Sequence, residues 1–233
     1  MSPALAARLG GLARDLVALA LPQRCPGCGA PAEARRLLCG DCLGRIPPLA
    51  TELCVRCLAA GRSPAGCLRH PGFAVRAPWI YDERAARLVH ALKYQERPGL
   101  AAALGGTMAR ALPPGERPDL VVEVPLHPAR HRERGYNQAA RLADVVAELL
   151  AAPRLARALE RVRPTPPQAR LGPAERRANL AGAFRLVRPD ALEGRTVLIV
   201  DDVVTTGATL EACLEPLRRA GCRASALALA WAQ

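Results

Sequence analysis

Beyond residue 73 the apolar positions keep two alternating rhythms. Ala74–Tyr81, Leu120–Val124, Thr196–Val200 and Ala224–Ala230 are short apolar runs, the pattern of buried strands. Between them lie segments with helical spacing. Glu83–Tyr94 brings Leu88, Val89 and Leu92 to one face, Leu100–Leu112 stops at Pro113-Pro114, and Gln138–Leu150 is strongly amphipathic. Ala208–Ala220 follows the third strand and ends at Gly221. Strands alternating with helices predict an α/β fold, a parallel sheet flanked by helices.

The rest of the chain follows other rules. Leu5, Leu9, Leu12, Leu16 and Leu19 or Ala20 share a helical stripe, interrupted by Arg8, Arg14 and Asp15. That pattern is too broken for a transmembrane segment and lacks the uninterrupted apolar stretch of a signal peptide. It predicts an amphipathic helix over residues 1–23, lying on the protein body or on a membrane surface. Residues 24–72 have little periodicity and hold most of the cysteines, as a small metal-pinned module would. Residues 73–233 form the α/β domain. Within it, residues 153–190 are rich in Arg and Pro and too long for an ordinary connector, which marks a functional loop.

Half of the 233 residues are apolar, yet Phe, Trp and Tyr number only seven, so the core must be built from Ala, Leu and Val. The formal charge is +12, and 32 of the 33 basic residues are Arg. This arginine bias reads as genome composition and makes the single lysine, Lys93, conspicuous as a compact point charge. A basic surface favours anionic partners, phosphates or nucleic acid. With so few aromatic rings to stack on bases, binding of single-stranded DNA would rest on electrostatics and fall with salt.

Seven of the nine cysteines crowd into residues 25–67. Cys25-x-x-Cys28 followed by Cys39-x-x-Cys42 is a zinc spacing, since each pair makes a turn whose sulfurs converge on one ion. Cys54-x-x-Cys57 with Cys67-x-x-His70 repeats it with a histidine in the last place. The pattern predicts one or two structural zinc ions in a reducing, cytoplasmic setting. Spacing alone leaves open whether ligands pair within each set or across the two, and whether the second set binds at all. Cys213 and Cys222 stand apart, as core or free thiols.

The most informative segment is Val197-Leu-Ile-Val-Asp-Asp-Val-Val-Thr-Thr-Gly-Ala-Thr209. An apolar strand runs into Asp201 and Asp202, then a turn of small residues, then a helix. Ligands bind at the carboxyl edge of open α/β sheets. The backbone N–H groups of Thr205, Thr206, Gly207, Ala208 and Thr209, at a helix start, suit a phosphate. The two aspartates are placed to accept hydrogen bonds from vicinal hydroxyls. Phosphate and diol together describe ribose 5-phosphate. A buried strand with an acidic helix cap would need one of these aspartates, not both with Thr-Thr-Gly behind them.

The segment resembles the PRPP-binding signature of type I phosphoribosyltransferases. With the cysteine pairs, Leu92-Lys93-Tyr94, Val124-Pro125-Leu126-His127, Arg134-Gly135-Tyr136-Asn137-Gln138, Arg161-x-Arg163 and Arg177 with Asn179, in that order, the chain resembles the competence protein F family. It departs at His70, where that family more often has Cys. The resemblance implies a phosphoribosyltransferase-like domain that binds PRPP with Mg²⁺. It also implies a role in natural transformation, with single-stranded DNA and other DNA-uptake proteins as partners. It points to a pentosyl-transferring (glycosyltransferase) activity on an unidentified acceptor, or to a ligand-sensing regulator on the same fold. Asp201, Asp202 and Arg163 would then serve catalysis. Lys93, Arg130, Arg132 and Arg134 would face the pyrophosphate, unless the arginines only form a solvated basic face. Arg163, Thr165 and Gln168 would lie on a mobile loop closing over the ligand. Asn137 is better placed to cap the helix after it. His127 and His131 are acid–base candidates, although a histidine beside proline is more often structural.

Overall fold

The strand Thr196–Val204 lies beside the central strand of a six-stranded sheet. The computed structural model describes residues 24–31, 37–59, 67–95, 98–162 and 172–233; the expected helix over residues 1–23 lies outside them. The cysteine-rich segment contributes α1 (Gly40–Arg45), β1 (Leu53–Cys54) and α2 (Val55–Ala59). There follow β2 (Ala74–Arg76), β3 (Trp79–Ile80), α3 (Glu83–Tyr94), α4 (Pro98–Arg110), β4 (Leu120–Glu123), α5 (Pro128–Arg134) and α6 (Gln138–Leu149). The chain closes with β5 (Leu159–Arg161), α7 (Pro173–Leu180), β6 (Phe184–Leu186), β7 (Thr196–Val204), α8 (Ala208–Arg219) and β8 (Arg223–Trp231).

The strand order is β1-β2-β8-β7-β4, with β3 also paired to β8. All pairings are parallel except that of β1 with β2, where Leu53 faces Val75. On one face α3, α4 and α6 bury Leu88, Leu104, Met108 and Leu142 against Leu198, Val200 and Leu227. On the other α8 buries Leu210, Leu214 and Leu217 against Val197, Ile199 and Ala226. Covering both faces explains why Val197–Val200 of β7 reads as an unbroken apolar run, since neither side meets water. Each such Leu or Ile contributes about 2 kcal/mol of burial. α4 and α6 approach closely at Gly105, where a Cβ would stand 2.7 Å from Val145.

Three expectations change. The strand expected over Ala74–Tyr81 is split into β2 and β3. Pro78 lies between them and has no N–H to give the ladder. β7 runs four residues beyond Val200, because β8 continues beside it and pairs Asp201 with Ala228 and Val204 with Trp231. The aspartates are therefore inside the strand, not past its end. Part of the arginine- and proline-rich stretch is regular: β5 and β6 pair antiparallel, with α7 between them.

Both rims of the sheet are short or covered. β1 is two residues long. At the opposite rim the Val121 N–H donates to the Pro153 carbonyl and the Leu155 N–H donates to the Val121 carbonyl.

Candidate functional site

The acidic pair sits where β7 emerges between α3, α6 and α8. Asp201 and Asp202 are 9% and 5% exposed. Each accepts a backbone hydrogen bond one residue on, Asp201 Oδ1 from the Asp202 N–H and Asp202 Oδ1 from the Val203 N–H, both at 2.8 Å. Burial, reinforced by the charge of Asp202, pushes the Asp201 carboxyl well above the usual range. Asp201 lies toward α8, where burial and then its charge raise the Cys213 thiol.

Asp202 lies toward α3 and α6. Lys93 Nζ, in the last turn of α3, is 2.7 Å from Asp202 Oδ2. Gln138 Nε2, at the start of α6, donates to the same oxygen at 3.4 Å. Arg134 reaches this network from behind. Its Nη1 donates to Gln138 Oε1 at 3.1 Å, its Nη2 donates to Tyr94 Oη at 3.2 Å, and its guanidinium lies over the Tyr94 ring. The Tyr136 hydroxyl donates to the Leu92 carbonyl and so fixes the turn that carries Lys93. Asn137 caps α6, accepting from the Ala139 N–H at 3.0 Å, and its Nδ2 donates to the Val124 carbonyl.

Lys93 and Arg134 are thus brought to the acidic pair, Lys93 directly and Arg134 through Gln138. Gln138 and Tyr94 are site residues that sequence reasoning gave no role. Their signal was position, since they lie at the ends of α6 and α3 yet end in polar atoms. Arg130 lies apart, on α5, paired with Glu133 at 2.9 Å and facing solvent. Arg163, Thr165 and Gln168 lie outside the described residues.

The turn behind β7 has the character of an anion cradle. Gly207, at φ +76°, caps α8 without a side-chain bond, and among the described residues no acceptor engages the N–H groups of Thr205, Thr206, Gly207, Ala208 and Thr209. Unengaged donors at a helix start are of the kind that can hold an anion. Thr205 is exposed and Thr206 and Thr209 half-buried, so the turn opens outward on that flank.

The loop after β4 is electropositive. Burial, then Arg161, Arg132 and Arg130, hold His127 below its ordinary value. Its Nδ1 accepts from the Ala129 N–H at 3.1 Å, so the neutral ring carries its proton on Nε2 and offers it outward. A cleft of about 850 Å³ opens beside this loop, lined by Arg132, Arg141, Arg157 and Arg161 among others. Other cations of this region are engaged internally. Arg154 pairs with Glu123 at 3.0 Å and Asp144 at 2.7 Å, Arg185 with Glu160, and Arg188 donates to the Ala156 carbonyl.

The cysteine-rich segment forms two four-ligand clusters, Cys25/Cys28/Cys39/Cys42 and Cys54/Cys57/Cys67/His70, each with all ligand atoms within 4.8 Å of one another. Ligands pair within each set, which settles the alternative that spacing left open. In the second cluster His70 Nδ1 is 3.3–3.6 Å from the three sulfurs. A tetrahedral zinc with ordinary bond lengths requires S···N edges of about 3.6 Å, so the residues fit the ion. Burial and the neighbouring Cys67 and Cys54 thiols push Cys57 up to about 12. Such a cluster cannot carry several negative charges without a cation among them.

Comparison with known proteins matches residues 132–233 to the phosphoribosyl transferase domain and residues 16–68 to the double zinc ribbon domain. DNA utilization protein YhgH of Escherichia coli (strain K12) is 34% identical over 206 residues, 86% of this chain and 80% of that protein. The protein of the same name in Salmonella typhimurium is 35% identical over 203 residues, 84% of this chain and 78% of its own. Competence protein F of Haemophilus influenzae is 34% identical over 148 residues, 60% of this chain and 65% of that protein. The fold is therefore a phosphoribosyltransferase-type α/β domain with a structural zinc ribbon at its N-terminal side.

Proposed function

We propose that this chain, which belongs to the competence protein F family, binds a 5-phosphorylated ribose of the PRPP kind at the carboxyl end of β7 and serves the handling of internalised single-stranded DNA. One observation carries the ligand assignment: five unengaged N–H groups at the start of α8 stand directly behind a buried acidic pair. In this reading the amides of residues 205–209 hold the 5-phosphate. Asp202, oriented by Lys93 and Gln138, accepts hydrogen bonds from the ribose hydroxyls, and Asp201 acts from the α8 side. Arg163, Thr165 and Gln168 would close over the ligand. The DNA role rests on the names of the relatives, and nine unpaired cysteines suit a reducing cytoplasm. Among the described residues no helix is long and apolar enough to cross a membrane.

The electropositive loop around His127 suits a pyrophosphate group, and catalysis would draw on the same loop. In pentosyl transfer the bond from C1 to the pyrophosphate oxygen breaks, its electron pair leaves with pyrophosphate, and the acceptor's lone pair forms the new bond to C1. Charge develops on the departing oxygens, where the Nε2–H of His127 and the nearby Arg130 and Arg132 would stabilise it. Mg²⁺ bound with PRPP would neutralise the same oxygens.

The test is calorimetric titration with PRPP and Mg²⁺, together with pyrophosphate release alone and with bases or single-stranded DNA. Binding that disappears in the Asp201→Asn/Asp202→Asn double variant supports the site, and release that disappears with it supports the transferase. Binding without release selects a sensing role. No binding by the zinc-loaded protein refutes the proposal.

A further inference from the structure

The phosphate turn is pressed from behind by the cysteine-rich segment. A Cβ on Gly207 would lie 2.7 Å from the Val55 carbonyl oxygen and 3.1 Å from Leu58 Cβ, so α2 touches the turn at its tightest residue. Cys54 and Cys57, two ligands of the second cluster, immediately precede the two contacting residues. Arg56, between them, donates to Glu211 Oε1 at 3.2 Å and to Glu215 Oε2 at 3.1 Å, both on α8. Its guanidinium lies 4.1 Å from the centre of the Phe73 ring, which Arg218 of α8 also covers. The Val55 N–H donates to the Phe73 carbonyl and the Phe73 N–H to that of His70, another ligand. Cys54, Cys57 and His70 are thus within a few bonds of a residue that packs against α8 or its first turn.

The first cluster has a different neighbour. Arg87 of α3 donates to the Gly27 carbonyl at 2.6 Å, and a Cβ on Gly27 would lie 3.4 Å from Leu88. It braces α3, not the turn.

We infer that the Cys54/Cys57/Cys67/His70 cluster and the phosphate turn are energetically coupled through Val55–Leu58: metal in the cluster holds the turn in its anion-binding form, and a phosphorylated ribose in the turn tightens the cluster on its metal. This rests on the functional reading above and adds regulation of that site by metal occupancy. Linkage requires the coupling to be reciprocal and equal in both directions.

The test follows zinc release to a chromogenic chelator from the full-length, zinc-loaded protein, with and without saturating ribose 5-phosphate and no Mg²⁺. Two release phases are expected, and loss of one in Cys28→Ser assigns the first cluster. The phase of the second cluster should slow about fivefold or more with ribose 5-phosphate, a common size for coupling between sites. That of the first cluster should not change, which separates coupling from general stabilisation. Arg56→Met touches neither metal nor phosphate, so it should keep both zinc ions and bind ribose 5-phosphate while most of the slowing is lost. Binding of ribose 5-phosphate with no change in the second phase, or equal slowing of both phases, overturns the coupling. Failure of the wild-type protein to bind ribose 5-phosphate removes the functional reading and the coupling together.

Discussion

Replacing Lys93 by methionine isolates the ion pair at the centre of the site. The two side chains are 23% and 7% exposed, with Nζ and Oδ2 2.7 Å apart. At an effective dielectric constant of about 20, charges about 3 Å apart attract by about 5–6 kcal/mol, and desolvating both ions returns several kcal/mol of that. Removing one partner keeps the desolvation cost and loses the attraction. Asp202 would retain Gln138 at 3.4 Å, the Val203 N–H at 2.8 Å and its side-chain hydrogen bond with Asp201. Lys93→Met should therefore cost about 3 kcal/mol, at the low end for a broken buried pair because Lys93 is partly wet. Adding Asp202→Asn removes the orphaned charge and should restore about 2 kcal/mol of it. The assay is a double-mutant cycle by urea denaturation in a fixed excess of Zn²⁺, where contributions of metal common to all four proteins cancel. A coupling energy below about 0.5 kcal/mol would refute a net-stabilising pair.

Further expectations can be checked on the same material. The folded protein keeps the Asp201 proton at pH values where the unfolded chain has lost it, so this group's cost to stability grows as pH rises from the ordinary carboxylate value of about 4 toward its raised one. Asp201→Asn should accordingly raise Tm at pH 8 and confer little advantage at pH 4, and equal shifts at both pH values would contradict the assignment. Arg154→Leu strands Glu123, 6% exposed, beside the Arg157 N–H alone, and should cost about 3 kcal/mol in urea melts, with Glu123→Leu added to it recovering most of the loss. Metal analysis should find two zinc ions per chain, falling to one in Cys28→Ser and in Cys67→Ser, and the absence of that step would break the two-cluster assignment.

The elements legible from sequence were those with a long apolar period and two covered faces. β7, β8, α3, α6 and α8 all stand close to where their patterns put them. The elements that escaped have no such record. α5 buries none of its residues, so its arginine run shows no stripe. β5 and β6 are three residues each, too short for alternation to register. Within the site, the sequence named Lys93, Arg134 and the two aspartates but could not give their geometry. Spacing brings Lys93 near a cation's place, yet only the packing of α3 beside α6 reveals that it meets Asp202. The contact of Val55 with Gly207 joins residues 152 positions apart, and nothing in either local pattern hints at it. The metal ligands were the reverse case, since a closed tetrahedral site constrains spacing so tightly that sequence alone gave nearly all of it.

The narrow rims of the sheet restrict how this protein can join others. A polypeptide partner that docks by extending a sheet needs a row of open main-chain donors and acceptors along an outer strand. Here the Pro153–Leu155 strap takes up the Val121 groups of β4, and the opposite side ends in a strand of two residues tethered to a metal knot. Among the described residues the main sheet therefore offers a partner little open edge, and β-type self-association through it is disfavoured while the ribbon keeps its metal.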